Sequence, residues 1–242
     1  MKKFLKYFLF LVAVLILPVG AKACWISITA TNGTVSSTAL YTDETAGFDY
    51  TNNESQQISL DGIGFIEKLK LSGKADPEIG IEFGVRAGSL DTTFTINSGA
   101  ETFVDITNPD AYASAAITLT DRASPTGAMI TGLFAGGKAN QAVYNGATLF
   151  ANLVDGFSIS NSSGDNHEAK GNESSMITIN DTLTSIESNF YFTLSARDSA
   201  SGTSTFVVTP EPAVVTPEPA TLCLLGFGVL SVIRRKKQNN RV

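Results

Sequence analysis

Cysteine, histidine and tryptophan are scarce in this sequence. Its 242 residues contain two cysteines, one histidine and one tryptophan. There is no Cys-x-x-Cys pair and no ligand spacing typical of a zinc site. Cys24 and Cys223 lie in two end segments that we expect in different compartments, so no disulfide is predicted between them. An apolar core must therefore hold the fold by itself.

The lone histidine limits the enzyme classes that the chain could belong to. A Ser-His-Asp triad would need His167, which lies in a polar stretch that we interpret as a solvated loop. The sequence has no Gly-x-Ser-x-Gly elbow, no His-Glu-x-x-His motif, no Walker loop and no dinucleotide fingerprint. We therefore expect no enzymatic activity, no catalytic residue and no cofactor. Paired carboxylates for glycoside hydrolysis stay open as an alternative, because such residues pair in space rather than along the chain.

Long apolar runs are missing from the middle of the chain and occur only at its ends. Three lysines precede the N-terminal run, residues 7–20, and the small-x-small sequence Ala21-Lys22-Ala23 follows it. This layout is typical of a secretory signal peptide. We predict that signal peptidase cuts between Ala23 and Cys24 and removes a helical signal segment, residues 1–23. The alternatives are an uncleaved anchor, for which the run is short, and lipid attachment to Cys24.

Basic residues are also scarce outside the two ends. Nine of the 17 lysines and arginines lie in the N-terminal segment and the C-terminal tail. The other eight and all 23 acidic residues lie within residues 24–219, so this exported part has a net charge near −15, against −6 for the whole chain. Nucleic-acid phosphates and anionic lipid surfaces would repel such a body. We therefore expect no nucleic-acid partner.

From Trp25 onward, short runs alternate between apolar and polar residues. Asn32-Gly33 between two such runs is typical of a hairpin turn. Every second residue is apolar in the segments 79–86, 115–119 and 190–194, which is the pattern of strands with one buried face. About ten short strands and no long amphipathic helix follow from these patterns. They predict an all-β fold, a single antiparallel β-sandwich of jelly-roll-like or Ig-like type, for residues 24–208.

Three stretches of this body do not alternate. We interpret residues 42–57 and 161–175 as polar loops, and residues 147–153 as a candidate for a short helix. The second loop holds oxygen ligands of the kind that calcium takes, although their spacing does not match an EF-hand. These residues are Asp165, Asn166, Glu168 and Asn172. We assign no metal ligand and leave a bound calcium as an alternative.

The end of the chain combines three different pieces in a fixed order. Pro217-Glu218-Pro219 comes first, the apolar run 220–233 second, and a basic cluster third. The cluster is Arg234, Arg235, Lys236 and Lys237. By the positive-inside tendency it would stay on the cytoplasmic side of a membrane crossed by a helix over the run. A second Thr-Pro-Glu-Pro-Ala copy, residues 209–213, lies seven residues earlier.

This order of pieces resembles the PEP-CTERM sorting signal of bacteria that make extracellular polysaccharide. The resemblance covers residues 217–242 and implies recognition by an exosortase, a membrane protease or transpeptidase that acts at or near Pro-Glu-Pro. The protein would then pass from a membrane-anchored precursor to the cell surface or the extracellular matrix. It further implies a C-terminal transmembrane helix in the sorting signal, preceded by a Pro-rich linker over residues 209–216. Which of the two copies is processed stays open.

Two hypotheses for the body follow. The first is a non-enzymatic surface or matrix protein, because an acidic, Thr/Ser-rich exterior suits a hydrated polysaccharide layer. The alternative is a carbohydrate-binding or, less favoured, a carbohydrate-cleaving module. Binding of extracellular polysaccharide would need exposed aromatic residues on one face. The candidates are Trp25, Tyr41, Tyr50, Tyr112, Tyr144 and Tyr191.

Overall fold

The computed structural model describes residues 24–43, 49–51, 57–74, 77–122, 127–160 and 167–210. These residues fall in one compact unit that ends at Pro210. The signal peptide with Ala21 and Ala23, the sorting motif Pro217-Glu218-Pro219, the apolar run 220–233 and the basic cluster 234–237 lie outside the described residues. The predictions for them therefore stay predictions.

Strands make up nearly all of the described part, and one 3₁₀ turn, Ala135–Gly137, interrupts them. The sixteen strands are β1 (Cys24–Thr31), β2 (Ser36–Asp43), β3 (Asp49–Thr51), β4 (Ile58–Leu60), β5 (Gly64–Lys74), β6 (Glu78–Ala87), β7 (Thr92–Asn97), β8 (Glu101–Thr107), β9 (Asp110–Asp121), β10 (Ala128–Gly132), β11 (Lys138–Tyr144), β12 (Thr148–Asp155), β13 (Phe157–Ile159), β14 (His167–Thr178), β15 (Thr182–Leu194) and β16 (Ser199–Thr209).

The strands form two antiparallel sheets. A nine-stranded sheet has the order β12-β11-β15-β7-β1-β2, and β8 and β10 also pair with β15 while β13 pairs with β10. A seven-stranded sheet has the order β14-β9-β16-β6-β5-β3, with β4 beside β5. The prediction of an all-β fold with two antiparallel sheets is therefore confirmed. No helix in the described ranges has the length and hydropathy to cross a membrane.

The alternating segments form strands for the reason that the sequence suggested. In β6 the side chains of Ile79, Ile81, Phe83 and Val85 are all buried. In β9 and β15 the apolar residues at every second position are likewise buried. β1 and β2 pair over their full length around the predicted turn, where Gly33 takes a φ of 88°. A positive φ is a conformation that glycine adopts without a steric penalty.

The core lies between the sheets and is built around phenylalanines. Phe83 of β6 contacts Phe190 and Phe192 of β15, with ring centroids 4.8 Å and 5.8 Å apart. Phe94 of β7 extends the group, with its ring 5.9 Å from that of Phe192. All four side chains are almost fully buried. Since Phe83 belongs to one sheet and the other three to the opposite sheet, these rings join the two layers.

Three predictions about local structure were wrong. The loop over 161–175 is strand β14 from His167 onward, and the helix candidate 147–153 is strand β12. The loop over 42–57 contains the end of β2 and all of β3. β14 and β3 are edge strands, so they need no continuous apolar face and show no alternation. The strand count therefore exceeds the ten that the pattern predicted.

Glu187 on β15 provides a pH-dependent test of the fold. Burial raises the pKa of its carboxyl group, and a hydrogen bond with Asn189 partly opposes this shift. A raised pKa in the folded state means that the ionised form is destabilised there, so the penalty is present above the folded pKa and vanishes below the unfolded one. We expect Glu187→Gln to raise the melting temperature at pH 7, with the difference shrinking as the pH falls and absent below about pH 4.

The measurement is thermal unfolding of the full-length chain in an uncharged detergent across this pH range. Asp105→Asn serves as the matched control, because it removes one negative charge at an exposed position of β8. An equal rise in both variants at pH 7 would show that net charge, and not burial at Glu187, is the cause.

Candidate functional site

The aromatic candidates for sugar binding do not come together on one face. Tyr41 and Tyr144 pack against the core, and the side chain of Tyr50 lies outside the described part. The three exposed ones are Trp25, Tyr112 and Tyr191.

Tyr112 belongs to β9 of the seven-stranded sheet, so it lies on the sheet opposite to the other two. Tyr191 stands in register with Thr95, which pairs with Thr29 of β1. Trp25 lies on β1 four residues before Thr29, which at the usual rise per residue is about 13 Å along the strand. Tyr191 meets Phe134 edge-on, at 5.8 Å and 72°. Among the described residues, these aromatics therefore form no flat platform.

A different cluster does converge, at one end of the seven-stranded sheet. Residues 24–210 contain only three arginines, Arg86, Arg122 and Arg197, and all three line one cleft of about 700 Å³. Arg86 lies at the end of β6, Arg122 directly after β9, and Arg197 in the turn between β15 and β16. The backbone of residues 87–89 and the ring of Phe65 complete the wall. All the arginines of this part of the chain therefore lie at one cleft, although the body has few cations.

Arg86 is held by an aromatic ring and by a carboxylate. Its guanidinium carbon lies 4.6 Å from the centroid of Phe65, its partner in register on β5, which is a cation–π contact. A bulge in β5 between Ile66 and Lys68 leaves Glu67 without a register partner. Bulges re-aim the side chains of the strand that carries them. Glu67 reaches both Arg86 (Nε to Oε1, 3.5 Å) and Arg122 (Nη2 to Oε2, 3.5 Å).

These two ion pairs are loose. Charge-assisted hydrogen bonds between arginine and carboxylate usually measure about 2.7–2.9 Å. Arg86 Nε is buried and has no hydrogen-bond partner among the described residues, despite the nearby carboxylate. Ser199, which stands in register beside Arg86 on β16, also has a buried Oγ without a partner there. Two neighbouring polar atoms are thus left unsatisfied next to the cleft.

Arg197 is placed by an unusual backbone conformation. Its φ is 67°, a left-handed value that costs a non-glycine residue about 1 kcal/mol or more. Its backbone N–H donates to the carbonyl of Gly88 at 2.8 Å, while the N–H of Ala196 donates to Asp91 Oδ1 at 3.0 Å. No carboxylate within the described ranges forms an ion pair with its guanidinium. The turn therefore presents an unneutralised cation at the cleft.

Asp198 ties this turn to the rest of the fold through its buried carboxylate. Its carboxylate accepts hydrogen bonds from the backbone N–H of Arg122 at 3.0 Å and from the Ser195 hydroxyl. The side chain is buried. The segment that carries Arg197 is thereby tied to the chain at Arg122.

An arrangement of three guanidinium groups suits the binding of an oxyanion. The sequence did not reveal it, because the three arginines are 36 and 75 residues apart along the chain and belong to no motif. The only sign of it in the sequence is the small number of arginines in the body. Their proximity is seen only in the structure.

The structure does not test the alternative of a calcium bound by the loop over residues 161–175. Asp165 and Asn166 lie outside the described residues, and only the backbone of Glu168 and Asn172 is described, within β14. Among the residues that the structure does describe, no three acidic, histidine or cysteine side chains are grouped as a metal site would require.

A two-sheet domain followed by a Pro-Glu-Pro segment, an apolar run and a basic cluster has the plan of an exported protein with a membrane-anchored stage. The family model of the PEP-CTERM protein-sorting motif matches residues 215–237. The chain thus carries a PEP-CTERM sorting motif, as its sequence predicted. This motif implies export and processing by an exosortase.

Other comparisons add little. No curated protein matches the chain. Two solved structures of infectious bursal disease virus, from the Gx and Gt strains, align with it at 11% and 10% identity and TM-scores of 0.32 and 0.24. The alignments cover 83% and 92% of this chain, and it spans 59% and 75% of the viral chains. At such scores the likeness supports no conclusion.

Proposed function

We propose that this is a non-enzymatic protein of the cell surface or the extracellular matrix, sorted by an exosortase through its C-terminal motif. The observation that carries the proposal is the match of the PEP-CTERM model to residues 215–237. In this proposal, signal peptidase removes residues 1–23 and the apolar run 220–233 holds the precursor in the membrane. Exosortase then acts at Pro217-Glu218-Pro219 and frees the body, residues 24–208, with part of its linker.

The length of the apolar run supports a temporary anchor. Fourteen residues from Ala220 to Ile233 span roughly 21 Å as a helix, against a hydrocarbon core of about 30 Å. A permanent anchor of this length would need local thinning of the membrane or snorkelling of the basic cluster. An anchor that is cut soon after insertion has no such requirement.

The carbohydrate-binding alternative receives no support from the aromatic residues. Trp25 and Tyr191 are far apart on one sheet, and Tyr112 lies on the other. Stacking of a sugar on a flat aromatic platform is therefore not part of the proposal.

The test is to express the protein in a host with its exosortase and in the same host without it. We expect the released form to disappear without the exosortase and a larger, membrane-bound form to accumulate. Immunoblots of the membrane and medium fractions measure both. An unchanged distribution between the two hosts would overturn the proposal.

A further inference from the structure

We propose that the arginine cleft binds a single oxyanion group, a carboxylate, sulfate or phosphate, carried by a small ligand or by the end of a larger one. The cleft is formed by Arg86, Arg122 and Arg197 with Phe65 at its wall. This inference does not depend on the sorting motif, because every residue in it belongs to the body.

The first argument is an excess of donors over acceptors. Each guanidinium offers five N–H groups, whereas the carboxylate that reaches the cleft, Glu67, pairs with Arg86 and Arg122 only at 3.5 Å. Arg197 has no carboxylate partner within the described ranges. An incoming oxyanion would supply the missing acceptors, and its planar or tetrahedral oxygens match the fork of an arginine.

The second argument is that buried polar atoms seldom stay unpaired. Ser199 Oγ is buried and has no hydrogen-bond partner in the described part of the chain, and Arg86 Nε is buried with only the Glu67 carboxylate, at 3.5 Å, beside it. Arg86 and Ser199 belong to adjacent strands at the same register position. An unpaired buried donor costs free energy, and such exceptions call for a bound group or water. A ligand oxygen beside Arg86, which lines the cleft, would supply an acceptor there.

The third argument is preorganisation. Arg86 is stacked on Phe65, and Arg197 is held in a left-handed conformation by the contact of its N–H with Gly88. Strained backbone of this kind persists where the surroundings fix it, and it clusters at ligand sites. The Arg86 guanidinium and the backbone of Arg197 are therefore placed before a ligand arrives, which lowers the entropic cost of binding.

The charge of the body limits the kind of ligand. With a net charge near −15, the exported part repels long polyanions, so the cleft favours one charged group over a charged polymer. A volume of about 700 Å³ has room for a ligand of the size of a sugar.

The test is calorimetric titration of the full-length chain in an uncharged detergent with glucuronate, inorganic sulfate and inorganic phosphate. Glucose is the neutral control, and sodium chloride at matched ionic strength controls for screening. We expect at least one of the three oxyanions to bind and glucose not to bind. Preference for glucuronate would identify a sugar carboxylate, and preference for sulfate or phosphate a tetrahedral group. No binding by any of the three beyond the chloride control would overturn the proposal.

Arg197→Asn is the informative variant, because asparagine tolerates the left-handed conformation and should leave the turn folded. We expect about a tenfold or greater loss of oxyanion affinity, as for removal of one charged hydrogen-bond partner. The melting temperature without ligand should stay near the wild-type value. Lys68→Gln is the matched control: it removes a cation paired with Glu82 on the same sheet, outside the cleft. Equal binding by wild type and Arg197→Asn, or an equal loss in both variants, would contradict a site at the cleft.

Discussion

Replacing Glu218 with alanine should leave a full-length, membrane-retained chain, whereas replacing Glu211 with alanine should leave processing unchanged. The two glutamates occupy the same position in two Thr-Pro-Glu-Pro-Ala copies seven residues apart. Only the second copy is followed directly by the apolar run and the basic cluster. An enzyme embedded in the membrane can reach a bond at the membrane surface, and Glu218 is the glutamate next to the segment that we propose is inserted.

The two variants are matched controls for each other, because each removes one carboxylate from the same local sequence. Immunoblots of membrane and medium fractions would report the size and the location of each product. If Glu218→Ala is processed and released like the wild type, the tail is not the sorting signal that we propose. If only Glu211→Ala is retained, the first copy is the one that is read.

Truncating Phe83 to alanine should destabilise the body by about 3–5 kcal/mol, the usual cost for a fully buried phenylalanine. Phe83 is the ring of the seven-stranded sheet that meets Phe190 and Phe192 of the other sheet. The site is tightly filled, since a Cβ added at Gly202 would lie 2.5 Å from the edge of this ring. A close-packed neighbourhood relaxes little into the cavity that the mutation leaves.

Such a loss is a large part of the total stability of a typical domain, about 5–15 kcal/mol. We expect the melting temperature of the full-length chain in uncharged detergent to fall by roughly 6–20 °C. Phe134→Ala is the matched control, because Phe134 is only half-buried and touches Tyr191 at the surface. A similar small loss in both variants would show that the Phe83 contacts do not join the sheets as described.

The alternating strands were predictable from the sequence, because one rule governs them. A strand with one buried face must place an apolar residue at every second position, and β6, β9 and β15 do so. The hairpin of β1 and β2 was predictable because Asn32-Gly33 favours a tight turn.

The edge strands and the cleft were not predictable, for two different reasons. β14 pairs along all of its twelve residues with β9, although its sequence is polar and shows no alternation. The backbone of the partner strand stabilises it, and a sequence does not display that partner. The cleft depends on Arg86, Arg122 and Arg197 meeting at one end of the sheet, which only the topology determines.

The sorting motif, unlike the edge strands and the cleft, was predictable from the sequence alone. It is a contiguous segment whose order of pieces is written in the sequence, and the match to residues 215–237 confirms it without reference to the fold. The fold of the body does not indicate the sorting motif, and the tail does not indicate the cleft. The proposed destination of the protein and the proposed binding at the cleft therefore rest on separate parts of the chain.

The most direct test of the proposed sorting is a mass-spectrometric determination of both termini of the protein released by a host with an exosortase. Our account predicts a chain that starts at Cys24 and ends at or near Pro217-Glu218-Pro219, without the apolar run and the basic cluster. A released protein that still contains residues 220–242 would contradict it.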